Sequence, residues 1–210
     1  MDQPSTITNT LDYFVGQYKL DTNARMPIYV PNAGKQELAN LFRELNFKVG
    51  AEIGVQYGHF SELLCQTIPD LKLYGIDAWT VYPGYTDILG YTDQSRFDSN
   101  YEQARARLAP YNCTLIRKWS IDAAADFADG SLDFVYIDAA HDFLHCTQDI
   151  AYWSKKVRPG GIVSGHDYAR HNHPHLVVHC KDVVRGWTSA YGIGPWFVLA
   201  DNSIWLWIVK

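Results

Sequence analysis

Residues 49–61 read V-G-A-E-I-G-V-Q-Y-G-H-F-S. A short apolar run ends in Glu52, Gly54 and Gly58 follow, and a helical pattern opens at once. Strand, tight turn and helix in that order make the first unit of a nucleotide-binding type of α/β sheet. The spacing is not the dinucleotide fingerprint G-x-G-x-x-G, which brings backbone close to a pyrophosphate at a helix N-terminus. A carboxylate at Glu52 would repel that anion, so a Rossmann dehydrogenase is set aside. The segment instead invites a cation or a hydroxyl-bearing group on a nucleotide-like scaffold.

Outward from this unit the pattern repeats. Leu38, Leu41, Phe42 and Leu45 recur at helical spacing over residues 35–45. Strands over 49–53, 71–76, 114–116, 132–137 and 162–164 alternate with helices over 60–68, 97–108, 121–127 and 143–157. Pro159-Gly160-Gly161 stops the last of these. A helix over 177–190 breaks near Tyr191-Gly192, and two apolar runs, 196–199 and 204–209, flank the hairpin signal Asp201-Asn202. Five strands separated by helices predict a doubly wound, Rossmann-like, mostly parallel sheet covered on both faces. With the closing antiparallel hairpin the sheet has seven strands. Residues 1–34 have little periodicity and are expected to be an irregular or partly helical arm before one domain over 35–210.

Composition narrows the partners. The chain has 210 residues, 47% hydrophobic and 20% charged, with a formal net charge of -5. Without a Lys/Arg cluster to neutralise phosphates, a nucleic-acid partner is not expected. Neither a basic-then-apolar leader nor an uncharged apolar run of about 18 residues is seen, so no membrane partner is expected and the location is read as cytoplasmic. Cys65, Cys113, Cys146 and Cys180 are widely spaced and are read as reduced, mostly buried thiols. Trp205 and Trp207 in the final hairpin are either core or the face of a homo-oligomer.

In doubly wound sheets ligands bind outside the carboxyl ends of the strands. Those ends carry Glu52-Ile53-Gly54, Asp77-Ala78-Trp79, Ser120, Asp138-Ala139-Ala140-His141 and His166-Asp167-Tyr168. On the segments 51–61, 74–79, 132–143 (L-D-F-V-Y-I-D-A-A-H-D-F) and 158–168 (R-P-G-G-I-V-S-G-H-D-Y), the chain resembles class I S-adenosylmethionine-dependent methyltransferases. More narrowly it is similar to a small O-methyltransferase-like group with I-D-x-x-H and P-G-G-x-x-x-x-H-D-Y motifs. The resemblance spans residues 35–210.

The resemblance implies a cofactor pocket. Gly54 and Gly58 would admit the methionine moiety, with Glu52 beneath the loop near its amino group or the helix-terminal amides. Asp77 would accept hydrogen bonds from the ribose hydroxyls. Ala78 and Trp79 would pack on the adenine face, and Ser120 would meet the adenine edge. Asp138 is counted on both the cofactor and the reaction side. Other readings stay open: turn glycines at 54 and 58, a packing role for Trp79, and a helix cap at Ser120.

Asp138, His141, His166 and Asp167 should converge where methyl transfer needs an oriented acceptor and a proton acceptor. His141 or His166 is the candidate base. Related O-methyltransferases often hold a divalent ion at this edge. Asp138, His166 and Asp167 are the ligands expected here, although imidazole favours softer ions than magnesium. The tract His171, His173, His175 and His179 reads as a solvated loop near the site, or as a substrate or metal contact. Residues 77–97, with Trp79, Tyr82, Tyr85, Tyr91 and Phe97, read as a lid or acceptor wall. The expected activity is O-methylation of a small molecule, such as a sugar or secondary metabolite. A metal-dependent hydroxylase of the same fold and a non-catalytic cofactor-binding module are the alternatives.

Overall fold

Alternation along the central strand decides how it sits. Over Leu132–Ile137, Phe134 and Tyr136 join one apolar cluster while Val135 and Ile137 join another, and all four are buried. A strand covered on both faces lies inside a two-layered wrapping of helices. A computed structural model describes residues 9–81, 93–173 and 176–210. In chain order its elements are α1 (Thr10–Tyr18), β1 (Ile28–Val30), α2 (Lys35–Glu44), β2 (Val49–Ile53), α3 (His59–Thr67) and β3 (Lys72–Asp77). There follow α4 (Gln94–Leu108), β4 (Cys113–Arg117), α5 (Ser120–Ala124), β5 (Leu132–Ile137), α6 (Phe143–Trp153) and β6 (Val157–Gly165). The chain closes with β7 (His171–His173), β8 (Leu176–Val178), α7 (Cys180–Ala190), β9 (Trp196–Leu199) and β10 (Ile204–Ile208).

Eight strands form the main sheet, in the order β1-β9-β10-β6-β5-β2-β3-β4. Only β10 runs against its neighbours; the other pairings are parallel. The doubly wound, mostly parallel architecture is the one expected, with one strand more than seven. The additional strand is β1, paired with β9 in the register Ile28↔Phe197. The segment expected to be an arm therefore enters the sheet. Phe14 of α1 is fully buried, its ring 4.8 Å from that of Phe197 in an edge-on contact.

Three local differences have physical causes. The helix expected over 143–157 ends at Trp153, where the chain tightens into a 3-10 turn at Ser154–Lys156. Pro159-Gly160-Gly161 lies inside β6 as a bulge, since Val157 faces Leu132 but Ile162 faces Phe134. Proline cannot donate to the ladder, so the strand arches over that stretch. The helix expected from residue 177 starts at Cys180, because Leu176–Val178 pairs antiparallel with His171–His173. The closing hairpin forms as expected, and Trp205 and Trp207 are buried in the core rather than offered as an oligomer face.

Candidate active site

Backbone bonds beyond the strand ends assemble the site. The Gly54 N–H donates to Ile76 O (2.8 Å), the Asp138 N–H to Ile53 O (2.7 Å) and the His166 N–H to Ile137 O (2.9 Å). The loops after β2, β5 and β6 thus stand side by side, with Asp138 in the middle. Gly54 has φ +92°, and a Cβ there would collide with the Asp138 carbonyl. Its glycine requirement therefore arises first from loop-on-loop contact. Gly58, at φ +79°, opens α3, whose N-terminus has no side-chain cap.

Glu52 lies beneath this loop, 2% exposed, and accepts a hydrogen bond from the Ser61 hydroxyl on α3. Burial pushes its carboxyl up to about 8, against the Ser61 bond. The Asp77 carboxylate is used inside the protein: one oxygen accepts from Val55 N–H (3.1 Å) and Gln56 N–H (3.0 Å), the other from Trp79 N–H (2.8 Å). Burial raises its pKa against those three bonds. A carboxylate oxygen has a second lone pair, so the ribose role expected for Asp77 remains open to it.

Trp79 is fully buried, its ring edge-on to Tyr101 at 5.0 Å and its indole N–H donated to Gln56 O (2.9 Å). It packs under α4 with Val55, Phe97 and Ala104, and offers no open face to an adenine. Ala78 beside it is half-buried. Ser120 does not cap α5, whose N-cap residue is Trp119. Its hydroxyl donates to Asp149 and accepts the indole N–H of Trp153 (2.8 Å). Buried Asp149, whose carboxyl desolvation pushes up to about 7, gave no signal in the sequence pattern because it lies mid-helix in α6.

The four titratable groups expected at the β5 and β6 ends do converge. The His141 Nε2 lies 3.0 Å from an Asp167 oxygen and 3.4 Å from an Asp138 oxygen. The His166 Nδ1 lies 3.3 Å from the other Asp167 oxygen and 3.6 Å from Asp138. Asp167 adopts φ +52°. Desolvation alone would lower the His141 pKa, but its bonds to Asp138 and Asp167 outweigh that and raise it well above the usual range. Asp167 is correspondingly held far below the ordinary carboxylate value, with His141 and His166 overcoming its burial.

Asp138, His141 and Asp167 each offer a donor atom within 4.8 Å of the others, the only such grouping among the described residues. His166 is not in that grouping, although its Nδ1 also lies against both carboxylates. A divalent ion in the grouping would compete with protonation of His141.

Lys35, the first residue of α2, was not flagged by any motif. Its backbone N–H is held by Asn202 Oδ1 (3.0 Å) from the β9–β10 turn. Its Nζ reaches within 3.6 Å of the other Asp138 oxygen, 5.3 Å from the Phe60 ring centre and 5.8 Å from that of Tyr136.

Of the His-rich tract, His171 and His173 lie in β7, which pairs antiparallel with β8, His179 precedes α7, and His175 falls outside the described residues. The His179 N–H donates to His141 O (2.8 Å), tying the start of α7 to the site. Tyr82, Tyr85 and Tyr91 of the aromatic segment also fall outside the described residues. A cavity of about 470 Å³ lined by Asn9, Phe47, Arg158 and Lys210 shares no residue with this cluster.

The sequence profile of the methyltransferase domain matches residues 51–168, more than half of the chain. The chain belongs to the methyltransferase domain family. This agrees with the class I resemblance carried by the segments around Glu52, Asp77, Asp138 and His166. No curated protein matches the methyltransferase in sequence. It is similar in structure to the O-methyltransferase TomG of Streptomyces achromogenes, solved with S-adenosylmethionine and involved in tomaymycin synthesis. The identity is 17%, all of both chains is covered and the TM-score is 0.59. An O-methyltransferase of Bacillus cereus, solved with S-adenosylhomocysteine, is 16% identical over 100% of this chain and 93% of that one, with TM-score 0.59. A Staphylococcus aureus protein assigned as a caffeoyl-CoA O-methyltransferase is 16% identical over 95% and 90%, with TM-score 0.61. At these identities the likeness establishes the fold. No helix among the described residues is long and apolar enough to cross a membrane.

Proposed function

We propose that this methyltransferase moves a methyl group from S-adenosylmethionine to a hydroxyl of a small molecule. The observation that carries the reading is the side-by-side packing of the Gly54 loop with the Asp138 and His166 loops, which sets a cofactor turn against a proton-handling cluster. The residues fit the cofactor in two ways. The N-terminus of α3 at Gly58 has no side-chain cap, and the Asp77 carboxylate has lone pairs for a ribose. When bound, the cofactor supplies an electrophilic sulfonium methyl. The chain supplies orientation and proton removal.

Both carboxylates favour the charged form of His141 and raise its pKa against burial, which suits it to orienting the cluster. His166, with Nδ1 turned to Asp167 and Asp138, is the proton acceptor for the substrate hydroxyl. A divalent ion fits Asp138, His141 and Asp167, a set of two oxygens and one nitrogen that suits manganese, iron(II) or zinc. It would lower the acceptor's pKa at the same place. Fold neighbours solved with S-adenosylmethionine or its product support the cofactor, and neighbours described as O-methyltransferases support the acceptor atom. Four free cysteines fit a reducing, cytoplasmic location.

Calorimetric titration with S-adenosylhomocysteine tests the reading first. Saturable binding at micromolar ligand is expected; no heat at millimolar ligand would sink it. The donor set Asp138–His141–Asp167 also keeps a metal-dependent hydroxylase in view. Iron content with oxygen consumption, and no methyl transfer to a panel of hydroxylated acceptors, would favour that second activity.

A further inference from the structure

Three features meet beside the Gly54 and Asp138 loops. The first is the Lys35 ammonium, half-exposed and 3.6 Å from Asp138, too long for a direct hydrogen bond. The second is the Tyr136 hydroxyl, which is fully buried and has no hydrogen-bond partner. The Lys35 ammonium rides over the rings of both Tyr136 and Phe60, and Phe60 in turn lies 4.2 Å from Tyr136. The third is the N-terminus of α3, where Phe60 sits in the first turn and no side chain caps the free amides. Glu62 in that turn is occupied by Arg107 at 2.7 Å.

All three features are donors or positive ends, and one small anion would serve them together. A dianion is disfavoured, because the Asp138 carboxylate stands beside the same ammonium. A zwitterion is not: its ammonium end would take Asp138 while its carboxylate takes Lys35. That exchange turns one loose pair into two close ones. The α-amino-acid terminus of S-adenosylmethionine is such a zwitterion.

We infer that Lys35 is the anchor for the methionine carboxylate, which gives α2 a direct part in cofactor recognition. The inference rests on the cofactor reading above. The Asn202 clamp on the Lys35 N–H holds the first turn of α2 against the β9–β10 turn and so aims the side chain. The unpartnered Tyr136 hydroxyl, on the ring near the Lys35 ammonium, would be a second donor to the same group. A buried hydroxyl without a partner is costly, and a ligand that supplies the acceptor relieves it.

Two probes separate the amino-acid end from the nucleoside end. S-adenosylhomocysteine has both; 5′-methylthioadenosine keeps the adenosine and the thioether but lacks the amino-acid terminus. Calorimetry on the wild type, Lys35→Met and Lys35→Arg is the experiment, with thermal melting of each variant. Methionine keeps the apolar stem over Phe60 and Tyr136. Lys35→Met should weaken S-adenosylhomocysteine about 10-fold to 100-fold, the range of a charge-assisted hydrogen bond. It should leave 5′-methylthioadenosine unchanged, and Lys35→Arg should recover most of the loss. Tyr136→Phe should weaken only S-adenosylhomocysteine, and less than Lys35→Met does.

Equal weakening of both probes, or of neither, would overturn the inference while leaving the cofactor reading intact. Failure of the wild type to bind either probe would overturn both. A lower melting temperature for Lys35→Met with an unchanged ratio of the two affinities would make the Lys35–Asp138 pair purely structural.

Discussion

Asp77 holds a loop with the same carboxylate that is proposed to hold a ribose. Its oxygens accept three backbone N–H groups from Val55, Gln56 and Trp79. Removing them strands those donors, at about 1–3 kcal/mol for each group left unsatisfied and buried. Asp77→Ala should therefore lower the unfolding free energy as well as the affinity for S-adenosylhomocysteine. Asp77→Asn, which keeps one acceptor oxygen, should recover part of the stability in urea titrations. An Asp77→Ala protein of wild-type stability would mean that the loop amides have other partners. Position in the motif made Asp77, Gly54 and the Asp138–His166 edge legible, because strand ends follow from the apolar runs. Trp79 and Ser120 were less legible. Their environments are built by α4 and α6, which no local pattern connects to the strand ends.

The first helix and strand show what a pattern of short elements conceals. A nine-residue helix and a three-residue strand carry too little periodicity to be recognised. Their stability comes from tertiary packing, as for most short helices. Phe14, fully buried against Phe197, is part of that packing. Phe14→Ala should cost about 3–5 kcal/mol, as expected for a fully buried aromatic side chain. Chemical denaturation measures it, and a change near zero would return this segment to the status of a loose arm. The same reasoning covers the start of α7. Leu176–Val178 is β-branched enough for a strand and apolar enough for a helix, and pairing with His171–His173 decides it.

Taken as a whole, the protein stores protons where water is excluded. Glu52, raised to about 8, and Asp149, raised to about 7, keep their protons in the fold to higher pH than in the unfolded chain. His141 likewise holds its proton above its unfolded pKa. In each case the folded state binds more protons, so stability falls as pH rises through the raised values. Asp167 has the opposite sign, but its contribution is lost only as pH falls below the ordinary carboxylate range toward its depressed value. The melting temperature of the ligand-free protein should therefore decline from about pH 5 to about pH 8. Glu52→Gln, which mimics the protonated carboxyl, should flatten that decline by up to about 1 kcal/mol per pH unit. A wild-type profile flat across the window would show Glu52 ionised in the fold.

The amino-acid sequence by itself determined the doubly wound sheet, the closing hairpin and the strand-end residues that make up the candidate site. Those follow from hydrophobic period and from glycine and proline placement, which act over a few residues. Only the tertiary structure decided that Phe14 joins the core, that Asp138, His141 and Asp167 bring three donor atoms together, and that Lys35 stands beside Asp138. These pairings connect residues from different elements, some far apart in the chain, and packing and charge select them only once the sheet has brought them together.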